Sequence, residues 1–312
     1  MKYISLISSV FIISIIIIAT IFYQDREQLL TLDAELKLSQ QQQQKSVPEI
    51  SESEPLRGIY VSEKIGYSLQ NDKLQITYDG GNEWEEVPVE KEYLFAGEYN
   101  GNQQELIEDS YLLTEQYATF LFDAEATKLV YSIDQGSTWQ ESVITDKIPH
   151  IRYRKVGFQS DTFWYAIMSF DRTMSQEGAA VYISADQGNT WQPTNMPDTT
   201  SLVADSGFVD ADTGFIAYGT INPEEPNMYV TNDGGESWQE TTFEMPSKYD
   251  RVFVMPNVPF KEEDHLSLII EQGPNGDYYR DGLIRAKFIS YDNGQTWEFV
   301  EEVEPEHEEQ MG

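Results

Sequence analysis

Ser184-Ala185-Asp186-Gln187-Gly188-Asn189-Thr190-Trp191 is one of five copies of a single pattern, S/T-x-D-x-G-x-x-W. The others are Thr77-Tyr78-Asp79-Gly80-Gly81-Asn82-Glu83-Trp84, Ser132-Ile133-Asp134-Gln135-Gly136-Ser137-Thr138-Trp139, Thr231-Asn232-Asp233-Gly234-Gly235-Glu236-Ser237-Trp238 and Ser290-Tyr291-Asp292-Asn293-Gly294-Gln295-Thr296-Trp297. Five of the six Trp close a copy, so most of the indole in the chain belongs to this one pattern. Four copies carry Ser or Thr before the Trp; the first carries Glu83. Self-similarity of this kind marks a repeat architecture.

Each copy reads as a tight hairpin turn. An apolar run enters it: Leu74 and Ile76, Leu129 to Tyr131, Val181 to Ile183, Met228 to Val230, Phe288 and Ile289. The Asp carboxylate can accept backbone N–H groups of the turn. The Gly supplies the positive φ of the reversal. The Trp starts the return strand and packs beneath the turn. Asp79, Asp134, Asp186, Asp233 and Asp292, with Gly81, Gly136, Gly188, Gly235 and Gly294 and Trp84, Trp139, Trp191, Trp238 and Trp297, are therefore read as structural staples. A catalytic group or a calcium ligand would be needed once, not five times.

These residues resemble the Asp-box, or BNR, repeat of sialidase-like β-propellers, over about residues 57–303. The resemblance implies an all-β fold in which the box joins the third and fourth strands of a blade, at the periphery and away from a substrate site. The stretch Phe208-Val209-Asp210-Ala211-Asp212-Thr213-Gly214-Phe215-Ile216-Ala217-Tyr218-Gly219 is similar to the non-catalytic, photosystem-assembly-factor type of these propellers, closer to it than to true sialidases. One scaffold serves many tasks, so the resemblance speaks for fold more than for function.

The box Asp residues are 55, 52, 47 and 59 residues apart, and 47 residues bound one complete blade. No gap approaches twice that length, so the expectation is a five-bladed propeller, each blade from one contiguous segment. Six or seven blades would require strands from residues 24–56. Glu271 to Gly282 reads as a long loop between strands of the last repeat, and such loops often bind.

Outside the repeats, Ile4 to Phe22 is a 19-residue apolar run. At 1.5 Å per residue it spans roughly 28 Å, about one bilayer core. Residues 1–23 are thus expected to be a transmembrane signal-anchor; a cleaved secretory signal is the alternative. Lys2 and the amino terminus precede the run and Asp25, Arg26 and Glu27 follow it, which places the C-terminal bulk outside the cytoplasm, single-pass in the cell membrane. An exported chain with no Cys suits a Gram-positive type of envelope. Residues 24–56, with Gln40 to Gln44, read as a juxtamembrane low-complexity tether; 57–303 is the propeller and 304–312 an acidic tail.

Composition narrows the chemistry. With 54 acidic and 20 basic residues, net charge −34, the chain is no nucleic-acid binder, since that needs clustered Lys and Arg. The absence of Cys excludes disulfides, thiolate nucleophiles and zinc ribbons, and the three His lie in no H-E-x-x-H or H-x-H spacing. Neither a metal nor a cofactor is expected.

A sialidase-like enzyme would need, as the resemblance implies, three Arg for a substrate carboxylate, a Tyr nucleophile with a Glu neighbour, and an Asp acid. The place of the family's first Arg reads Pro55-Leu56-Arg57-Gly58-Ile59 and lacks its Ile-Pro, so that role is not carried over to Arg57. Arg57, Arg154 and Arg251 are nevertheless 97 and 97 residues apart, each opening an expected first strand. They are candidates for a cationic ligand spot at one channel mouth; the alternative is strand-edge arginines paired with the abundant carboxylates. Trp164, the one Trp outside the boxes, is either core or a sugar-stacking platform. The expected function is a membrane-anchored, extracytoplasmic, non-catalytic binding or assembly module for a protein or an envelope glycopolymer, with cationic peptides, basic proteins and divalent ions the better electrostatic match. A glycoside hydrolase of the sialidase-like class is the alternative, since 47 carboxylates in residues 57–312 leave a catalytic pair open.

Overall fold

The computed structural model describes residues 56–304 apart from 147, 161 and 275–278. The expected anchor, the tether before Leu56 and the tail after Glu304 lie outside the described residues, as does the middle of the 271–282 loop. No helix among the described residues is long and apolar enough to cross a membrane.

The described residues are nearly all β. Sheet 1 holds β1 (Ile59–Tyr60), β2 (Gly66–Ser68), β3 (Lys73–Thr77) and β4 (Glu85–Glu90), followed by one short helix, α1 (Lys91–Leu94). Sheet 2 holds β5 (Tyr111–Leu113), β6 (Ala118–Asp123), β7 (Ala126–Ser132) and β8 (Gln140–Asp146). Sheet 3 holds β9 (Ile151–Ser160), β10 (Phe163–Phe170), β11 (Gly178–Ser184) and β12 (Gln192–Pro193). Sheet 4 holds β13 (Leu202–Phe208), β14 (Gly214–Gly219), β15 (Asn227–Thr231) and β16 (Gln239–Glu240). Sheet 5 is larger: β17 (Thr242–Glu244), β18 (Phe253–Pro256), β19 (Phe260–Glu262), β20 (His265–Gln272), β21 (Arg285–Ser290) and β22 (Thr296–Val303). Each sheet is an antiparallel meander in chain order; the additions in sheet 5 are β19, paired with β20, and β17, which runs parallel along β22.

All five boxes sit between the third and fourth strands of their sheets, as the resemblance implied. Their hydrogen bonds repeat almost atom for atom. In the box of sheet 3, the Ser184 hydroxyl donates to Asp186 Oδ1 (2.8 Å) and accepts from Gly188 N–H (2.9 Å). Asp186 accepts Thr190 N–H on Oδ1 (2.8 Å) and the Thr190 hydroxyl on Oδ2 (2.7 Å). Asp134, Asp233 and Asp292 are held in the same way by Thr138, Ser237 and Thr296. Asp79 keeps the backbone bond, from Glu83 N–H at 3.0 Å, but Glu83 offers no hydroxyl for its second oxygen. The box glycine does two things. Gly188 has φ +78°, and a Cβ there would stand 2.8 Å from the Trp164 ring. The turn thus needs both a left-handed backbone and a bare surface.

The core explains the strand composition. Side chains alternate across a strand, and the middle strands are buried on both faces, so they read as continuous apolar runs. Phe120 of β6 packs with Leu74 and Ile76 of sheet 1, while the next residue, Leu121, packs with Trp164 and Met168 of sheet 3. Trp164 faces sheet 2, and Tyr165 faces Phe208 and Ile216 of sheet 4. Phe215 and Met228 of sheet 4 meet Leu268 and Phe288 of sheet 5. Four apolar clusters thereby join the five sheets in sequence.

Candidate functional site

The innermost strands carry a concentration of charge that the boxes do not. β9 contains Arg152-Tyr153-Arg154-Lys155, and each of these side chains is committed to a different neighbour. Lys155 Nζ lies 2.9 Å from Asp205 Oδ1 of β13 and 3.1 Å from Asp109 Oδ2, just before β5. Burial alone would lower its pKa, but the two carboxylates outweigh that and raise it. Asp205 Oδ2 also accepts the Val258 N–H at 2.7 Å. One lysine and two aspartates therefore tie sheets 2, 3, 4 and 5 together near their inner edges. The Tyr153 hydroxyl meets Ser206 Oγ of β13 at 2.9 Å, and burial raises its pKa well above the usual phenol value.

Arg152 forms a bidentate pair with Glu177, whose side chain is fully buried, with both N···O distances 2.6 Å. The pairing register of β9 on β10 skips Arg152, with Ser169 opposite Tyr153 and Phe170 opposite Ile151. A bulge re-aims a side chain in this way. Glu177 Oε1 also accepts Val203 N–H (2.6 Å), and Arg152 Nη2 donates to Val203 O (2.6 Å), which closes a ring of polar contacts from sheet 3 to sheet 4.

These positions correct two of the sequence expectations. Arg154 does not open its strand. It is the fourth residue of β9, 1% exposed, and donates from Nη1 to Leu94 O (3.1 Å) and from Nη2 to Ala96 O. Burial lowers its pKa to about 10, with Asp123 pulling the other way, so it stays charged at neutral pH. It anchors the α1 segment and has no surface for a ligand. Trp164 is 0% exposed on β10, the second strand of its sheet, with Tyr117, Tyr131 and Phe158 rings around it. It is core, not a sugar platform.

Arg57 and Arg251 are exposed. Arg57 borders a cleft of about 440 Å³ shared with Lys91 and Glu105, and its own N–H donates to Gln70 Oε1 (3.0 Å). Arg251 pairs with Glu224 at 3.0 Å and borders a cleft of about 730 Å³ between sheets 4 and 5. Glu225, Glu240 and Asp250 complete its acidic wall, over a floor of half-buried Phe243 and Met245 with the fully buried Phe253 beneath. A second acidic cleft, about 290 Å³ between sheets 1 and 2, is different: Lys73 pairs with Glu86 (2.5 Å) on its sheet 1 side and Lys128 with Glu141 (2.9 Å) on its sheet 2 side.

Comparison with known proteins bears on the fold. The profile of a family described as sortilin, neurotensin receptor 3 (Sortilin-Vps10) matches residues 179–307, less than half of the chain. Together with five boxes, each at the third-to-fourth strand turn of its own sheet, this decides the architecture. The fold is a sialidase-like β-propeller of the BNR, or Asp-box, type. No curated protein matches in sequence. Among solved structures, YCF48 bound to D1 peptide is 15% identical over 81% of this chain and 88% of that one, with a TM-score of 0.38. A GH74 enzyme of Niastella koreensis is 13% identical over 75% of this chain and 29% of that one (TM-score 0.38). A mutant Trypanosoma rangeli sialidase is 15% identical over 67% and 40% (TM-score 0.40). The propeller thus spans less than half the length of either hydrolase.

In this propeller the inner-strand network went unread in the sequence. Its signal was the run Arg152 to Lys155, three bases in four residues of a domain that holds 16 in all. The relay hydroxyl at the first position of each box was also missed, although the Ser or Thr is present in all five copies. Chemically, the inner-strand charges neutralise one another between sheets, whereas the cleft between sheets 4 and 5 keeps an excess of carboxylates.

Proposed function

We propose that the chain is a membrane-anchored, outward-facing, five-bladed propeller that acts as a non-catalytic binding or assembly module for a protein or envelope ligand. The observation that carries this reading is the division of charged groups. Lys155, Asp109, Asp205, Arg152 and Glu177 hold blades to one another, and an open excess of carboxylates, four against the one cation Arg251, lies in the cleft between blades four and five. A rigid scaffold with ligand-facing clefts is a design for recognition. Five boxes and five sheets support the five-bladed part of this reading, and the apolar run Ile4 to Phe22 supports the anchor.

The test uses the full-length chain in detergent micelles, offered a panel of sialosides and aryl-glycosides and, separately, basic and acidic model polypeptides. The expected result is saturable binding of a basic polypeptide with no glycoside turnover. Turnover of any glycoside, abolished by substituting a carboxylate of the propeller, would replace the reading with that of a hydrolase.

A further inference from the structure

We infer that the cleft between the fourth and fifth blades docks an extended, basic peptide segment of a partner protein, with Lys or Arg side chains on its acidic wall and an apolar residue on its floor. The inference rests on the binding-module reading and deepens it.

Charge comes first. Glu224, Glu225, Glu240 and Asp250 face one cation, Arg251. All five are exposed, so the excess is presented to solvent and not spent on structure. The cleft between blades one and two also has four carboxylates, Glu86, Glu90, Glu125 and Glu141, but Lys73 and Lys128 already reach into it. Three of the four carboxylates of that cleft, Glu86, Glu125 and Glu141, are paired with a lysine, against one of four, Glu224, in the fourth–fifth cleft.

The second observation is a polar group with no partner. Thr241 lines the fourth–fifth cleft and is 8% exposed. Its N–H donates to Met228 O at 2.9 Å, yet its buried Oγ1 has no hydrogen-bond partner among the described residues. A buried hydroxyl left orphaned is rare in a finished interior, because desolvation without a bond is unfavourable. That oxygen is covered, so a polar atom of a bound segment would complete it by displacing the side chains over it.

The third is that the cleft already holds a cation of the right kind. Arg251 sits at φ +66°, a conformation that bulky residues seldom adopt, and its guanidinium lies 3.0 Å from Glu224. It stands where an incoming Arg or Lys would stand and competes for the same carboxylate. The carboxylates line a wall and do not converge: among the described residues no group of His, Cys, Asp and Glu is compact enough to hold a metal ion. Dispersed negative charge beside Phe243, Met245 and Phe253 suits a multivalent chain better than a point ion.

The experiment measures fluorescence anisotropy of the labelled heptapeptide Gly-Ser-Arg-Leu-Lys-Ser-Gly with the full-length chain in detergent. Combined Glu224→Gln, Glu225→Gln and Glu240→Gln should weaken binding by about tenfold, since each exposed pair contributes modestly. Arg251→Gly removes the competitor at a backbone position glycine tolerates, and should tighten binding by about threefold. Glu86→Gln, Glu125→Gln and Glu141→Gln in the neutralised cleft should leave it unchanged. Equal weakening by both triple variants, no tightening in Arg251→Gly, or no binding of the heptapeptide to the unaltered chain would each overturn the proposal. Glycoside turnover on the same preparation reports on the underlying reading separately: turnover ends the binding-module reading, whereas lost peptide selectivity without turnover ends only the cleft.

Discussion

The box turns and the inner strands are both present five times, yet they are built on opposite plans. In every box the Asp closes on its own turn, while contacts to the neighbouring sheet come from other atoms, as where Trp191 Nε1 donates to Ser142 Oγ (3.1 Å). Asp186 finds its partners in Ser184 and Thr190, two and four residues away, and the other four copies use the same spacing. The inner strands close on other blades. Arg154 reaches carbonyls 58 and 60 residues away, and Lys155 reaches Asp205 across 50. The boxes are therefore nearly identical and the inner strands all different. β1 is two residues long and β9 is ten. A local staple can be copied with its sequence, but a contact between blades depends on what the next blade offers.

The largest expected effect is on the inner side. Arg154→Ala leaves two carbonyls unsatisfied and a cavity where a large buried side chain stood, so denaturant unfolding should show a loss of about 4 kcal/mol. A loss below about 1 kcal/mol would mean that solvent or repacking replaces the anchor and that the contrast with the boxes is overstated. Next comes a box glycine that lies against a neighbour's core, as Gly136 and Gly294 also do. Gly188→Ala forces a left-handed alanine against Trp164 and should lose about 3 kcal/mol by the same measurement.

The pH dependence belongs to the boxes. All five box carboxyls are lowered: by Glu83 N–H for Asp79, by the Thr138 hydroxyl for Asp134, by Thr190 N–H for Asp186, by the Ser237 hydroxyl for Asp233 and, against some burial, by the Thr296 hydroxyl for Asp292. A folded pKa below the unfolded one means that the stabilisation is complete above the unfolded value, about pH 4, and is lost as pH falls through the folded value. For Asp233 that folded value is about 2. Thermal melts between pH 5 and pH 2 should fall steadily, and Asp233→Asn should flatten part of the fall; an unchanged slope would show that its carboxylate is not held as described. The smallest effect is expected at Glu83→Thr, which gives the first box the hydroxyl the others have and should raise Tm by about 1 °C.

This contrast also sets what was legible in the sequence. The box was readable as a turn because its partners lie within an eight-residue window, and its place between the third and fourth strands is what the resemblance implied. The two-faced burial of β6, β10 and β14 was visible as unbroken apolar stretches. Arg154 stands in the sequence as a candidate for a channel-mouth ligand spot because spacing alone says nothing about Leu94 O and Ala96 O. Arg152 could not be placed, because a bulge changes the face of a side chain without changing the sequence period. Trp164 was ambiguous for a related reason: a lone indole in an apolar strand looks the same whether a neighbouring blade covers it or not. The fourth–fifth cleft was hidden because its wall joins Glu224 and Glu225 from one loop, Glu240 from a strand end and Asp250 from the next blade.

The measurement that bears most directly on this division is amide hydrogen exchange of the full-length chain with Asp134→Ala and with Arg154→Ala. Asp134→Ala should deprotect its own turn, residues 132–140, and little else. Arg154→Ala should deprotect residues 91–98 together with 151–156, on both sides of the contact it removes, including the Glu98 N–H bonded to Ile151 O. Loss of protection spreading from the box variant into neighbouring blades, or confined to β9 in the arginine variant, would contradict the account.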